Sequence, residues 1–255
     1  MNQRFIKLVS SITRMLGYEL IPQWRMLEYD LSRYLGKFFE HYNIQAVIDV
    51  GANNGGYHDF LRQQVGYQGD IYSFEPVQEN IDIIKEKSKS DPHWHVFGFA
   101  LGSEPSFRVI KVMKSNDFSS FLQPKHDVID DYTKYNIVEK EETVEIRTLD
   151  SVYVELKKKH GLEQFYLKMD TQGFDIEVFR GAKNTLCQVV ALQSEVSVKQ
   201  IYEDNIDYQQ SIEQYSNAGF ELSGLFPVNR DKYLRVVEFD CLMINQKYLA
   251  TTKTV

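Results

Sequence analysis

The sequence predicts an α/β protein with a doubly wound, mostly parallel seven-stranded sheet that ends in an antiparallel hairpin. Apolar, β-branched runs alternate with segments of helical periodicity from Ile44 onward, and a glycine-rich loop follows the first run. At the end of the chain, two strand-like segments (220–225 and 236–245) follow each other without a helix. They must pair antiparallel, because parallel strands need a long crossover. We therefore predict an N-terminal helical appendage over residues 1–43 and one doubly wound domain over residues 44–250.

Composition limits the classes of partner. The chain has 255 residues, 43% of them apolar, and a formal net charge of -7. An acidic balance disfavours polyanions, so we predict no nucleic-acid partner. Cys187 and Cys241 lie in apolar runs without a zinc-binding pattern, and both are predicted to be buried free thiols. No apolar run is long enough to span a bilayer. At the N-terminus, polar residues interrupt the apolar stretch that a signal peptide would need, so we expect a cytoplasmic protein.

Residues 1–43 have the periodicity of two helices. The first is predicted to end at Gly17, and the second can begin at Pro22. Basic residues opposite the first apolar stripe suit a helix that lies peripherally on a membrane or forms a dimer contact. The same stripe suits a brace packed on the main domain, which is the interpretation we favour. The stripes comprise Phe5, Leu8, Val9, Ile12, Met15 and Leu16, then Leu27, Leu31, Tyr34, Leu35, Phe38 and Tyr42, and the basic residues are Arg4, Lys7 and Arg14.

The remaining elements follow from the same patterns in chain order. Strands are predicted where apolar, β-branched residues run together or alternate, and helices where apolar residues recur every three or four positions. Asp150 is predicted to cap a helix that ends in the basic cluster 157–159. The predicted strands are 44–50, 70–74, 94–100, 107–113, 143–146, 165–169, 188–196, 220–225 and 236–245, and helices begin near residues 57, 77, 150, 176 and 206.

The glycine-rich loop after the first strand determines which ligand the domain can hold. A nucleoside triphosphate loop needs lysine where Tyr57 stands, and a dinucleotide loop prefers glycine where Asn53 stands. Asp49 ends the strand, and no Lys or Arg occurs in residues 44–60. A carboxylate about 4 Å from a phosphate costs about 4 kcal/mol at an effective dielectric near 20, and it stabilises an ammonium or sulfonium by the same amount. The local charge favours S-adenosylmethionine, which carries both cations.

A second acid supports a nucleoside ligand. Glu75 follows Gly55 by 20 residues, at the end of the next predicted strand. An acid at this place accepts hydrogen bonds from ribose hydroxyls. The alternative is that Glu75 caps the following helix. We favour the ribose role because the glycine loop and the acid occur in the right order on consecutive strands.

Several segments together match one known family. They are Val47–Gly55, Phe74–Pro76, Ala100–Gly102 and Leu167–Ala182 and, more loosely, Gln193–Val196 and Asp240–Ile244. With them the chain resembles the FkbM family of S-adenosylmethionine-dependent methyltransferases over about residues 44–246. One departure is Asp175, where the family usually has glutamate. The resemblance implies the Rossmann-like class I methyltransferase fold and O-methylation of a hydroxyl, with a sugar, a glycan or a natural-product intermediate as acceptor.

The resemblance also implies which residues contact the cofactor. The glycine-loop positions would hold the methionine part, Glu75 the ribose, and the Ala100-Leu101 turn would lie along the adenine. The full predicted set is Asp49, Gly51, Asn53, Gly55, Tyr57, Glu75, Pro76, Ala100, Leu101, Ser119, Ser120 and Asp170.

Two carboxylates are candidates for catalysis. Methyl transfer depends on alignment of nucleophile and methyl group, and a hydroxyl nucleophile benefits from a base. Asp170, at the end of strand 165–169, is the first candidate base, and its alternative role is to position the methionine ammonium. Glu195, at the end of the next strand, is the second candidate, and it could equally pair with Lys168. The two acids could also hold Mg²⁺, but two carboxylates are a weak signal and no metal site is predicted.

The polar stretch 115–122 follows the third predicted strand. Long irregular inserts in compact domains are usually lids or binding loops, so Ser119 or Ser120 is predicted to contact cofactor or substrate. Two other functions stay open. One is an NAD-dependent oxidoreductase, which the charge of Asp49 opposes, and the other is a non-catalytic scaffold.

Overall fold

The computed structural model describes residues 13, 15–18, 20–26, 28–126, 128–129 and 135–249. The first predicted helix and its basic face therefore lie almost wholly outside the described residues. The strands are β1 (Ala46–Val50), β2 (Asp70–Phe74), β3 (Trp94–Phe97), β4 (Ala100–Leu101), β5 (Ser106–Met113), β6 (Val138–Arg147), β7 (Phe165–Met169), β8 (Val189–Ser197), β9 (Phe220–Arg230) and β10 (Val236–Asn245). The α-helices are α1 (Tyr29–His41), α2 (Gly56–Phe60), α3 (Gln78–Ser88), α4 (Leu149–His160), α5 (Asp175–Arg180), α6 (Tyr208–Asn217) and α7 (Gln246–Leu249).

Seven strands form the main sheet in the order β3-β2-β1-β7-β8-β10-β9. The first five are parallel, and β10 runs antiparallel to both β8 and β9. This confirms the predicted doubly wound sheet with a reversed terminal hairpin. The order reverses between β1 and β7, and ligands of such sheets bind at the carboxyl ends of the strands beside that point.

Helices cover both faces of the sheet, and a hydrophobic core lies on each face. Ile48, Phe74 and Leu167 belong to one core, while Val47 and Tyr166 belong to the other. This alternation follows from the period of a strand, in which successive side chains point to opposite faces.

Helix α1 packs on the second of these cores. It begins later than predicted, because Pro22 precedes a 3₁₀ turn at Gln23–Arg25. The rings of Phe38 and Phe39 lie 6.1 and 4.9 Å from that of Tyr166. The burial of these two rings holds α1 against the sheet. In the segment that precedes α1, Met15, Leu16, Tyr18, Leu20 and Met26 are exposed.

A small second sheet has the order β4-β6-β5. The predicted third strand, 94–100, is therefore wrong at its end, because β3 stops at Phe97 and Ala100 pairs instead with Ile146 of β6. The β5–β6 hairpin is also longer than its apolar residues indicated, since β6 begins at Val138. This sheet stands beside the carboxyl end of β2.

Two local predictions are wrong. The N-cap of α4 is Thr148, whose side chain accepts a hydrogen bond from the backbone of Ser151. Asp150 instead accepts hydrogen bonds from Asn184 and Thr185, so it ties α4 to the loop before β8. Cys241 is buried and free as predicted, but Cys187 is exposed. In the part of the chain that the structure describes, no helix is long and apolar enough to cross a membrane.

Candidate active site

Two adjoining cavities lie at the carboxyl ends of β1, β2, β7 and β8. The first has a volume of about 530 Å³ and extends from the β1 loop past the end of β2 to β4. The second has a volume of about 370 Å³ and extends from the β1 loop towards α1, α2 and the terminal hairpin. Both are bordered by Gly51, Asn53, Asp117, Asp170, Glu195 and Val228.

Two glycines of the β1 loop have different reasons to be glycine. Gly51 has φ +81°, and a Cβ there would lie 1.9 Å from the carbonyl oxygen of Asp170. The chain can bring these two strand ends together only without a side chain at this position. Gly55 has φ +87°, and a Cβ there would meet the indole of Trp94 at 2.7 Å. Gly55 borders neither cavity, and the close approach of Trp94 is what requires a glycine at this position.

Asn53 and Glu75 meet at the floor of the first cavity. The backbone N–H of Asn53 donates to Oε2 of Glu75 at 2.8 Å, and that of Val77 donates to Oε1 at 2.9 Å. Glu75 therefore does bond to the start of α3, but it also borders the cavity. Burial raises the pKa of Glu75 against the effect of these hydrogen bonds. The side-chain oxygen of Asn53 is buried without a hydrogen-bond partner, while its amide donates to Asp117 at 2.6 Å.

The surroundings of Asp49 differ from the prediction. Asp49 is fully buried, accepts a hydrogen bond from Ser73 at 2.9 Å, and borders neither cavity. Its neighbour across the strands is Lys168, whose ammonium lies 3.2 Å from Oδ1 of Asp49 and 3.4 Å from Oδ2 of Asp170. Burial lowers the pKa of Lys168, but the two carboxylates outweigh burial and raise it above its usual value. The prediction that Asp49 has no basic neighbour is wrong, because parallel pairing brings one in from β7.

Asp170 and Glu195 lie together at the ends of β7 and β8. The side-chain amide of Gln172 donates to both, at 3.2 Å to Asp170 and 2.9 Å to Glu195. Asp170 is also paired with Lys168. The predicted alternative, in which Glu195 pairs with Lys168, is not found, because that ammonium is directed at Asp49 and Asp170.

Sequence reasoning missed two further acids that β10 contributes. Burial raises the pKa of Glu238 to about 7 and that of Asp240 to about 6. Burial, reinforced by Glu238 and Asp170, raises the pKa of Glu195 well above its ordinary value. The signal available from the sequence was the closing strand 236–245 itself, because it carries both acids and was predicted to pair antiparallel within the sheet. In register, Asp240 lies opposite Glu195.

Most of the remaining predicted residues border one of the two cavities, whereas one of them holds a neighbouring loop in place. Pro76, Ala100, Leu101 and Ser119 border the first cavity, and Tyr57 borders the second. Ser120 borders neither, since it is buried, donates to the backbone of Gln172 at 2.7 Å and accepts from Leu122 at 3.0 Å. Ser120 therefore holds the loop that carries Gln172, and of the two serines named for the ligand contact it is Ser119 that borders a cavity.

The last two observations at the site concern the buried Asp175 and the side chains that could hold a metal ion. Asp175 is buried and accepts hydrogen bonds from Thr171 and Ser194, so it holds the loop after β7. Within residues 28–126 and 135–249 and the shorter described segments, no group of three or more histidine, cysteine or acidic side chains is arranged to hold a metal ion.

Comparison with known proteins gives one family. The family model described as Methyltransferase FkbM domain matches residues 49–222. Comparison with curated protein sequences finds no match.

Among solved structures, the chain is similar to a methyltransferase FkbM from Methylobacillus flagellatus KT, with 14% identity and a TM-score of 0.48. The match covers 79% of this chain and 44% of that one, so the chain spans less than half of its length. A SAM-dependent methyltransferase from Aquifex aeolicus matches with 12% identity, coverage of 96% and 99%, and a TM-score of 0.44. Magnesium protoporphyrin IX methyltransferase from Synechocystis PCC 6803 matches with 9% identity, coverage of 91% and 88%, and a TM-score of 0.45.

Proposed function

Because the chain belongs to the FkbM methyltransferase family, we propose that it transfers a methyl group from S-adenosylmethionine to a hydroxyl of a sugar, a glycan or a natural-product intermediate. The donor would occupy the first cavity, and the acceptor hydroxyl would approach Asp170 and Glu195.

The observation that carries this proposal is the charge of the first cavity. Five acids border it, and no Lys, Arg or His is found among the described residues that line it. A carboxylate stabilises a nearby sulfonium or ammonium and repels a pyrophosphate by a similar amount. This favours a cationic donor over NAD. The five acids are Glu75, Asp117, Asp170, Glu195 and Glu238.

The polar atoms of the cavity also suit a nucleoside. Glu75 presents a buried carboxylate, and Asn53 presents a buried amide oxygen without a partner. Buried polar groups are costly when unpaired, so a ligand that donates hydrogen bonds to them gains affinity. The hydroxyls of a ribose are such donors. Ala100, Leu101 and Phe121 provide apolar surface for a base at the far end.

The chain supplies the means of activating a hydroxyl. When bound, S-adenosylmethionine supplies an electrophilic methyl group on a positively charged sulfur. Glu195, whose pKa burial raises, is a stronger base than an ordinary carboxylate, and its ionised form takes the proton that the hydroxyl loses. Asp170 shares its charge with Lys168, so we assign it the role of holding positive charge beside the reacting groups. Gln172 fixes the two carboxylates relative to each other.

Calorimetry with S-adenosylhomocysteine, NAD and ATP tests the choice of donor. We expect heat of binding with the first ligand only. Heat with NAD and none with S-adenosylhomocysteine would support the oxidoreductase alternative, and no heat with any of them would support a scaffold.

A variant tests the base. Glu195→Gln is expected to keep the affinity for S-adenosylhomocysteine and to lower methyl transfer to a glycan or sugar panel by about 10²–10⁴-fold. Glu221→Gln, an exposed acid at the far end of β9, is the matched control and should keep full activity. Full activity of Glu195→Gln would show that another group removes the proton.

A further inference from the structure

The second cavity has no assigned ligand. It joins the first cavity at Asp170 and Glu195 and continues between three parts of the chain. Glu28 and Leu31 contribute from the start of α1, and Phe60 contributes from α2. Residues 226–228 of the terminal hairpin contribute the remaining wall. A molecule in this space would reach the two candidate catalytic carboxylates from the side away from Glu75.

The floor of this cavity is a fixed hydrogen-bond network. Gln193 accepts hydrogen bonds from the hydroxyls of Tyr57 at 2.8 Å and Tyr166 at 3.1 Å. Its amide nitrogen donates to Oδ1 of Asp240 at 2.8 Å. Gln193 is thereby held in one orientation, and it engages one of the two carboxylate oxygens of Asp240, which borders the cavity.

The single basic residue among the described residues that line this cavity is already engaged. Lys168 lies within 3.4 Å of carboxylate oxygens of Asp49 and Asp170 and donates to the carbonyl oxygen of Gly51 at 3.4 Å. The ammonium is therefore already paired with two carboxylates and hydrogen-bonded to a backbone carbonyl. An anionic ligand would find no free cation here.

The rest of the lining is acidic and aromatic. Five carboxylates border the cavity against the one engaged lysine. Tyr57 stacks on Phe60 at 5.8 Å between ring centroids, and Phe226 packs on Tyr34 at 5.5 Å. Aromatic side chains give apolar surface to a ring-shaped ligand, and the carboxylates accept hydrogen bonds from hydroxyl or ammonium groups. The five acids are Glu28, Asp117, Asp170, Glu195 and Asp240.

We propose that the second cavity is the acceptor subsite and that it selects a polyhydroxylated acceptor that is neutral or carries an amine, and rejects one with a phosphate or carboxylate there. This rests on the proposed function, because only a methyl-transfer site needs an acceptor beside the donor cavity. Hydroxyl or amino groups of the acceptor donate to Asp240, the ring lies against the aromatic wall, and the reacting hydroxyl points to Glu195.

The charge preference can be measured without knowing the acceptor. Pro227 is exposed on the edge strand β9 and borders the second cavity but not the first. Pro227→Cys in a Cys187→Ser background places one reactive thiol at the mouth, since Cys241 is fully buried. Two methanethiosulfonate reagents of similar size, one with a trimethylammonium and one with a sulfonate, then report the local potential. Native Cys187, which is exposed, is the reference thiol in the wild-type chain.

The measured quantity is the ratio of the modification rate of the cationic reagent to that of the anionic reagent. We expect this ratio to be at least tenfold higher at the introduced thiol than at Cys187, and we expect Asp240→Asn to reduce it. The labelled protein should bind S-adenosylhomocysteine within about threefold of the unlabelled protein and lose methyl transfer. An equal or anionic preference would refute the charge selection, and loss of S-adenosylhomocysteine binding on labelling would show that the cavity belongs to the donor. If the unlabelled protein binds no S-adenosylhomocysteine, the proposed function fails, whereas the reagent ratio still reports the charge of the cavity.

Discussion

Replacing Glu75 with glutamine separates its charge from its shape. In the wild-type chain, Oε2 accepts from the backbone of Asn53, and Oε1 accepts from the backbone of Val77 and the side chain of Asn80. Glutamine has nearly the same volume but replaces one acceptor oxygen with an NH₂ group. Whichever way the amide turns, the NH₂ faces a backbone N–H that also donates, so at least one hydrogen bond is lost.

The substitution has separate effects on stability and on binding. A hydrogen bond to a charged acceptor contributes about 1.5–3 kcal/mol. Burial already raises the pKa of Glu75, so its charge costs stability that a neutral amide recovers in part. We expect the free energy of unfolding to fall by no more than about 2 kcal/mol. The ribose hydroxyls lose a charged acceptor, so the affinity for S-adenosylhomocysteine should fall by about 10–100-fold, or about 1.4–2.8 kcal/mol.

Calorimetry of S-adenosylhomocysteine binding, together with chemical denaturation, measures both effects. The matched control is Glu142→Gln, because Glu142 also accepts a backbone hydrogen bond at the start of α3, from Gln78, but borders neither cavity. The control should keep full affinity. If Glu75→Gln lowers stability and leaves the affinity unchanged, Glu75 serves only α3, and the assignment of the ribose to this carboxylate is wrong.

Two further predictions concern backbone space and pH. Gly51 and Gly66 share a φ of +81°, but a Cβ at Gly66 meets nothing within 4 Å. Gly66→Ala should lower the free energy of unfolding by about 1–2 kcal/mol for the left-handed conformation alone. Gly51→Ala should lower it by more and abolish S-adenosylhomocysteine binding. Equal losses of unfolding free energy in chemical denaturation would contradict this. Burial raises the pKa of Glu238 from its ordinary 4.5 to about 7, so the folded state retains a proton that the unfolded chain releases. The free energy of unfolding should therefore fall by about 3 kcal/mol as pH rises from about 4.5 to 7. Urea titrations should show that Glu238→Gln removes this loss. If the variant leaves the dependence of unfolding free energy on pH unchanged, the prediction is wrong.

The sequence located the buried strands well because their residues are mostly apolar. Residues 70–74, 165–169 and 236–245 form strands with the predicted bounds. The error at 94–100 has a physical reason: periodicity shows that Ala100 is extended but not which sheet accepts its hydrogen bonds. Similarly, β6 is charged over much of its length, and its first half is exposed, so no apolar alternation marks where it begins.

The candidate site was predictable where it depends on strand ends. Asp170 directly follows β7 and Glu195 lies near the end of β8, and topology brings the carboxyl ends of these adjacent parallel strands to the same edge. Glu75 reaches the first cavity for the same reason, because it directly follows β2. The sequence did not indicate that Gly55 and Ser120 border neither cavity, because a motif does not reveal whether a small residue faces a ligand or the side chain behind it.

Lys168 shows most clearly what a linear sequence conceals. It is far from Asp49 along the chain, yet β1 and β7 pair so that the two residues are opposite each other. An ion pair at 3.2 Å removes most of the charge on which the choice of cofactor first depended. The preference for a cationic donor survives for another reason, because β7, β8 and β10 bring Asp170, Glu195 and Glu238 to the first cavity, and no Lys, Arg or His is found among the described residues that line it. Neutralising Lys168 would leave a buried carboxylate unpaired, so the lysine is better understood as the group that makes an acidic site compatible with a stable sheet.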